Sequence, residues 1–282
     1  MPLSFLCFSP TQEALINSAL TLEGISCSFP SRVAGAEPYA AISDVDLRVG
    51  EGEFVAVVGP TGCGKSTLLN VAAGLLRPSA GRVVAFGAAL EAINTHAGYM
   101  FQSDALMPWR TALANVAVGL EFRGVPMEEA NRRAEDWLRR VGLSAHIHKY
   151  PHELSGGMRK RVALAQMLIL DPKLLLMDEP FSALDVQTRS LMENELLNLW
   201  SQDRKSVVFV THDLEEAISL SDRVVLMSAG PASHPIGEFA IDLPRPRDVA
   251  EIRMTPRFVE IHKLIWNALR DEVQKAHVHA LA

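Results

Sequence analysis

The chain has 282 residues, of which 48% are hydrophobic and 21% charged, and its formal net charge is −6. That size and hydrophobic share allow a sizeable core in one large domain or two modest ones, while the acidic balance offers no general attraction to nucleic acid or an anionic bilayer. No apolar run approaches the roughly 18 to 20 residues of a membrane-spanning helix, and Cys7, Cys27 and Cys63 show no metal-like spacing, which fits a reducing cytosol better than a disulfide framework.

In chain order, residues 1–20 are fairly apolar but carry no Lys or Arg before Arg32, so the basic start of a secretory signal is missing. They are expected to form a poorly ordered extension. From Leu22 to about Phe86 short β-rich runs predominate, namely Leu22 to Phe29, then Ile42 to Leu47 with alternating apolar positions, then Glu53-Phe-Val-Ala-Val-Val58. The first runs predict an antiparallel sheet leading into a buried parallel strand at 53–58, after which Leu68 to Ala73 has helical character. Residues 104–170 turn helical. Ala112 to Leu120, Met127 to Val141 and Val162 to Leu170 each carry helix-like patterning, which predicts a helical insertion. Strand signals return at Leu174 to Met177, Ser206 to Val210 and Arg223 to Met227, with helices at about 186–201 and 213–220 between them. Such alternation predicts a parallel sheet with crossover helices. After Leu243-Pro-Arg-Pro-Arg247, a last helix from about Pro256 to Lys275 places Phe258, Ile261, Ile265, Ala268 and Leu269 on one face, which is expected to pack on the body of the protein.

Six sequence elements carry the chemistry. Gly59-Pro-Thr-Gly-Cys-Gly-Lys-Ser-Thr67 fills every fixed position of the phosphate-binding loop G-x-x-x-x-G-K-[ST], between a predicted strand and a predicted helix. Gly59, Gly62 and Gly64 let the backbone turn tightly and aim its N–H groups inward, with Pro60, Thr61, Cys63 and Thr67 completing the loop. Lys65 is expected at the β- and γ-phosphates and Ser66 at Mg²⁺. Leu174-Leu-Leu-Met-Asp-Glu179 is an apolar strand ending in two carboxylates; successive residues leaving a strand can point apart, so Asp178 can serve the metal and Glu179 the attacking water. Leu154-Ser-Gly-Gly-Met-Arg-Lys-Arg161 opens a helix whose amide-rich N-terminus can accept a phosphate, through Ser155, Gly156 and Gly157. Gln102, Ser182-Ala-Leu-Asp185 and His212 follow in fixed order around these.

The ordered set, over about residues 21 to 275, resembles the ATP-binding cassette (ABC) ATPases. The resemblance implies an α/β fold: a phosphate-loop, RecA-like core with an antiparallel β-subdomain and an inserted α-helical subdomain. It also implies an ABC ATPase domain over residues 21–242 and a C-terminal Pro/Arg segment and helix over 243–282. ATP and Mg²⁺ are the implied cofactors. Two copies would face each other head to tail, with ATP on the phosphate loop of one covered by Ser155 and Gly157 of the other and Asp185 linking the two sites. Glu179 would be the general base, Gln102 would sense Mg²⁺ and the water, and His212 would contact the γ-phosphate; Ser66, Gln102 and Asp178 form the metal set. Adenine would stack on Phe29 or on Tyr39. Ala105-Leu-Met-Pro-Trp-Arg-Thr111 with Asn115-Val116, the Arg159-Lys-Arg161 run and the Arg245-Pro-Arg247 segment look like the nitrate, sulfonate and taurine importer group. That implies two separate transmembrane permease subunits docking near Ser103 to Asn115, a substrate-binding protein acting through the permease, no nucleic acid, and a peripheral place on the cytoplasmic face of the inner membrane. Related cassettes serve bicarbonate, a thiamine precursor, or lipid and macrolide export, and more distant ones act as mechanical clamps.

Overall fold

The computed structural model of the chain describes residues 18–30 and 37–281. Strands β1 (Ser18–Phe29) and β2 (Tyr39–Gly50) pair antiparallel and lead into β3 (Phe54–Val58). Helix α1 (Lys65–Ala72) follows, then β4 (Ala80–Ala85), β5 (Ala88–Ala89) and β6 (Ala97–Met100). Three helices come next, α2 (Ala112–Phe122), α3 (Met127–Arg140) and α4 (Gly156–Leu168). The chain then alternates through β7 (Leu174–Asp178), α5 (Val186–Asp203), β8 (Ser206–Thr211), α6 (Leu214–Leu220), β9 (Arg223–Met227) and β10 (Pro235–Ala240), and closes with α7 (Val249–Ile252) and α8 (Pro256–Leu281).

Two sheets result. One has the order β2-β1-β4-β5 and is antiparallel; the other runs β10-β9-β3-β8-β7-β6, parallel except for its β10 edge. Central β3 is buried along its whole length, as a strand covered on both faces must be. Its alternation sends Phe54, Ala56 and Val58 into a core shared with α4, α5, α6 and α8, and Val55 and Val57 into a second core shared with α1 and the antiparallel sheet. Phe54 meets Trp200 edge-on at 5.7 Å between ring centres. A third cluster, built from Val116, Leu120, Ala134, Leu138, Val162 and Ala165, holds α2, α3 and α4 together. The fold is therefore the phosphate-loop core with an antiparallel β-subdomain and a helical subdomain.

Several boundaries differ from the sequence-based expectation. Residues 1–17 lie outside the described residues, but Ser18 to Leu20 already belong to β1 rather than to an extension. Leu20 is fully buried and pairs with Val49 and Ala85, and the Ser18 hydroxyl donates to Val49 O at 3.0 Å, so local composition yields to pairing on both edges. Helix α4 begins at Gly156, as expected of the Ser155-Gly-Gly157 segment, with the Ser155 hydroxyl capping it, and so extends N-terminal to the apolar run that starts at Val162. β10 escapes a period-based search: Pro235 and Gly237 interrupt it, and as an edge strand it is only half-buried. On α8, Phe258, Ile261, Ile265 and Leu269 are buried as expected, whereas Ala268 is exposed.

One buried charge has a measurable consequence. Glu193 on α5 is fully buried and accepts two bonds from Arg253, at 3.0 and 3.2 Å. Burial pushes its carboxyl up to about 7, with Arg253 pulling down and the carboxylates of Glu216 and Asp213 pushing further up. A carboxyl whose folded value lies above its unfolded one holds a proton in the folded chain that the unfolded chain has released, so stability falls as pH rises through that window. Between about pH 5 and pH 7 the parent should therefore lose stability relative to Glu193→Gln, whose amide does not titrate. Denaturant midpoints for both chains at each pH measure this; parallel pH trends would refute it.

Candidate functional site

The site is assembled at the carboxyl ends of adjacent parallel strands, where open α/β sheets bind ligands. β3 ends at Val58 and the chain turns through Gly59–Gly64 into α1. Two positions in this turn admit only glycine. Gly64 has φ of +86°, and a Cβ there would lie 2.5 Å from Ile42 Cγ2; a Cβ on Gly59 would lie 2.8 Å from Cys63 Sγ and 2.9 Å from Met227 Cβ. Lys65 is 5% exposed and its ammonium donates to Gly59 O at 2.8 Å and Pro60 O at 3.0 Å, which holds a positive charge inside the loop. Burial pushes the Cys63 thiol up, against the pull of Lys65, so this residue stays a neutral packing group.

Ser66 Oγ donates to Asp178 Oδ1 at 3.0 Å. Asp178 is buried, and burial raises its carboxyl pKa, with Ser66 and Lys65 lowering it and Glu179 raising it. A hydroxyl beside a desolvated carboxylate is a hard-oxygen donor pair, which fits Mg²⁺. Tyr99 on β6 is likewise pushed up, by burial first and then by Asp178.

Glu179 follows β7 in the left-handed region, φ +43°, a conformation that costs on the order of 1 kcal/mol and is fixed here by its N–H donating to Val210 O at 2.9 Å. The turn aims its carboxylate at two neighbours. Gln102 Nε2 donates to Glu179 Oε2 at 3.3 Å, and His212 Nδ1 lies 3.0 Å from the same oxygen. Gln102 lies just beyond β6 and His212 just beyond β8, the two strands flanking β7, so three strand ends converge on one carboxylate. Such a group, held on two sides and 17% exposed at its side chain, can accept a proton from a bound water.

The sequence marked Lys160 only as part of a motif, yet its ammonium is buried and donates to Gln102 O at 2.6 Å. It also meets Asp104 Oδ1 at 3.2 Å, and Arg159 Nε donates to Asp104 Oδ2 at 2.8 Å. The helix that begins at Ser155 is thereby bonded to the Gln102 segment. Only buried contacts reveal this, because Lys in a basic run reads as a solvated face.

Ser155 caps α4, its hydroxyl accepting from Met158 N at 3.3 Å. A Cβ on Gly157 would lie 2.6 Å from Thr188 Cγ2, so the start of α4 sits against the start of α5, which Asp185 caps by accepting from Thr188 N at 3.0 Å. Among the described residues no hydrogen bond joins Ser155, Gly156 or Gly157 to the Gly59–Thr67 loop. Phe29 and Tyr39 are direct cross-strand partners, 38% and 49% exposed, so both rings stand on one face of the antiparallel sheet. The structure thus joins Lys65, Ser66, Asp178, Glu179, Gln102 and His212, and leaves the Ser155 segment as a separate surface.

The profile of a family described as ABC transporter matches residues 42–182. An uncharacterized ABC transporter ATP-binding protein of Methanocaldococcus jannaschii is 47% identical over 84% of this chain and 86% of its own. The taurine import ATP-binding protein of Pseudomonas aeruginosa is 40% identical over 93% of this chain and all of its own. A nitrate import ATP-binding protein of Synechococcus elongatus is 39% identical over 89% and 92%. Among solved structures, the dimeric post-hydrolysis state of an ATP-binding cassette bound to ADP and Pi superposes with a TM-score of 0.70 at 31% identity, covering 80% of this chain and 100% of that one.

Proposed function

The chain belongs to the ABC transporter family and is an ATPase, and we propose that it is the ATP-hydrolysing subunit of an importer for a small anion such as nitrate, taurine or an alkanesulfonate. The observation that carries the enzymatic part is the Glu179 carboxylate gripped by Gln102 and His212 beside the Ser66–Asp178 pair. The importer part is supported by relatives named for taurine and nitrate import.

The residues have distinct tasks in this proposal. Backbone N–H groups of Gly59–Thr67 and the Lys65 ammonium bind the β- and γ-phosphates, and Phe29 or Tyr39 supports the base. Ser66, Asp178 and the amide oxygen of Gln102 would hold Mg²⁺, which neutralises charge on the transferring phosphoryl group. Glu179 orients the attacking water and takes its proton, while His212 meets the γ-phosphate. Ser155 and Gly157 close the nucleotide from a second copy of the chain, which agrees with their separation from their own loop and with the dimeric cassette noted above.

Among the described residues no helix is long and apolar enough to cross a membrane. In keeping with relatives named as import ATP-binding proteins, separate permease subunits would carry the substrate, with this chain docked on the cytoplasmic face of the inner membrane and a binding protein acting through the permease. The test is uptake of labelled nitrate, taurine, an alkanesulfonate, bicarbonate and a thiamine precursor in source cells lacking the chain, complemented by the parent or by Lys65→Ala. Restoration of one activity by the parent alone is expected; equal uptake of the whole panel with both chains would sink the importer proposal.

A further inference from the structure

The buried stripe of α8 does not end at Leu269. It continues at the same 3–4 spacing to Glu272, which is 8% exposed, so a carboxylate occupies a core-facing position. Such a placement is costly unless the group is bonded. Glu272 Oε2 accepts from the Ala229 N–H at 2.8 Å, and Lys275 Nζ holds Oε1 at 2.5 Å. Burial pushes this carboxyl up, but Lys275 and the Ala229 N–H outweigh it and hold it below the usual glutamate value.

Ala229 belongs to the loop 228–234 that follows β9, and this loop is knitted to the nucleotide site. Ala232 N donates to Ala40 O at 2.7 Å, Ser233 N to Ala41 O at 3.2 Å, and Ser43 N to Ser233 O at 3.0 Å, so its far side joins β2. Its near side meets the phosphate loop: a Cβ on Gly230 would lie 3.3 Å from Gly62 O, 3.4 Å from the Tyr39 hydroxyl and 3.8 Å from Cys63 Cα. One peptide unit therefore separates the atom that Glu272 holds from the residue packed on Gly62.

We propose that Glu272 is a positioning residue of the nucleotide site, tethering the 229–230 segment so that it braces Gly62–Cys63 from outside and fixes the loop geometry that receives the phosphates. The tether links α8 to nucleotide affinity through this one side chain, which alone among the residues of the helix stripe bonds the 229–230 segment. This inference rests on Gly59–Thr67 being the ATP loop. Bonds to charged groups are among the stronger ones, so losing this one and passing on part of its strength shifts an affinity several-fold.

The test compares Glu272→Ala, Glu272→Gln, Ile265→Ala and Lys65→Ala in the full chain, using ATP Kd, ATPase kinetics and denaturation midpoints. Glu272→Ala should raise Kd and KM for ATP by about 3- to 10-fold with kcat changed less than about twofold, whereas Glu272→Gln, which keeps a carbonyl for the Ala229 N–H, should stay within about twofold of the parent. Ile265→Ala loosens the helix without touching the tether and should lose stability with Kd unchanged. The inference is overturned if Glu272→Ala binds ATP like the parent, or if Ile265→Ala weakens binding as much. Lys65→Ala keeps the two failures apart: parent-like ATP binding there removes the loop assignment itself, and the brace with it, while loss of binding there leaves Glu272 to be judged on its own variants.

Discussion

Glu179→Gln is expected to bind ATP as the parent does and to lower kcat by about 10²- to 10⁴-fold, the span that general base catalysis supplies. The amide matches the carboxylate in size, and its oxygen still accepts from Gln102 Nε2, now 3.3 Å from Glu179. Backbone strain at this position is also untouched, because the left-handed turn is fixed by the bond to Val210 O rather than by the side chain. What disappears is the capacity to take a proton. ATP should then persist on the loop and hold two chains together, which size-exclusion chromatography with ATP would register as a dimer peak absent with ADP. Hydrolysis at the parent rate would remove Glu179 from the catalytic role, and a fall in Kd-level affinity would mean that the carboxylate serves binding instead.

Ser155→Arg should retain ATP binding and lose hydrolysis, by about 10²-fold or more if a phosphate-facing donor set is lost. The nucleotide loop, Ser66 and Asp178 are complete within one chain and make no hydrogen bond to Ser155. Loss of the helix cap costs about 1 kcal/mol of stability, too little to unfold a chain of this size. The decisive effect is steric and electrostatic, since a long cation at the start of α4 blocks the surface proposed to cover a partner's nucleotide. A mixture sharpens the test. Lys65→Ala and Ser155→Arg, each inactive alone, should recover part of the activity when combined, because a mixed dimer pairs one intact loop with one intact Ser155 surface. Normal turnover by Ser155→Arg would exclude a site shared between copies.

The phosphate loop, the Asp178–Glu179 pair, Gln102, the Ser155 segment and His212 were all legible in the sequence. Each is a short run whose residue types serve local chemistry, glycines for a tight turn or a carboxylate at a strand end, so the signal survives without knowledge of the fold. Strands and helices with strong periodicity were legible for the same reason. Edge strand β10 was not, because half-burial and its Pro235 and Gly237 erase the period. Lys160 was marked only as part of a motif, and Asp104 and Glu272 carried no signal, because a charged side chain in a basic run, in a loop or on a helix face is normally solvated.

By itself, then, the sequence determined the cassette chemistry and the order of its parts, since bonds to phosphate depend on residue type at fixed local spacing. Tertiary structure alone decided how those parts meet. Strands distant in the chain become neighbours β6, β7 and β8, so that Gln102 and His212 converge on one oxygen of Glu179. Lys160 reaches across from α4 to fix the Gln102 segment, and Glu272 reaches from the last helix toward the loop behind Gly62. Such contacts follow from which sheet edges pair and which faces are buried, quantities that depend on the packing of the whole chain and leave no mark on any short stretch of it.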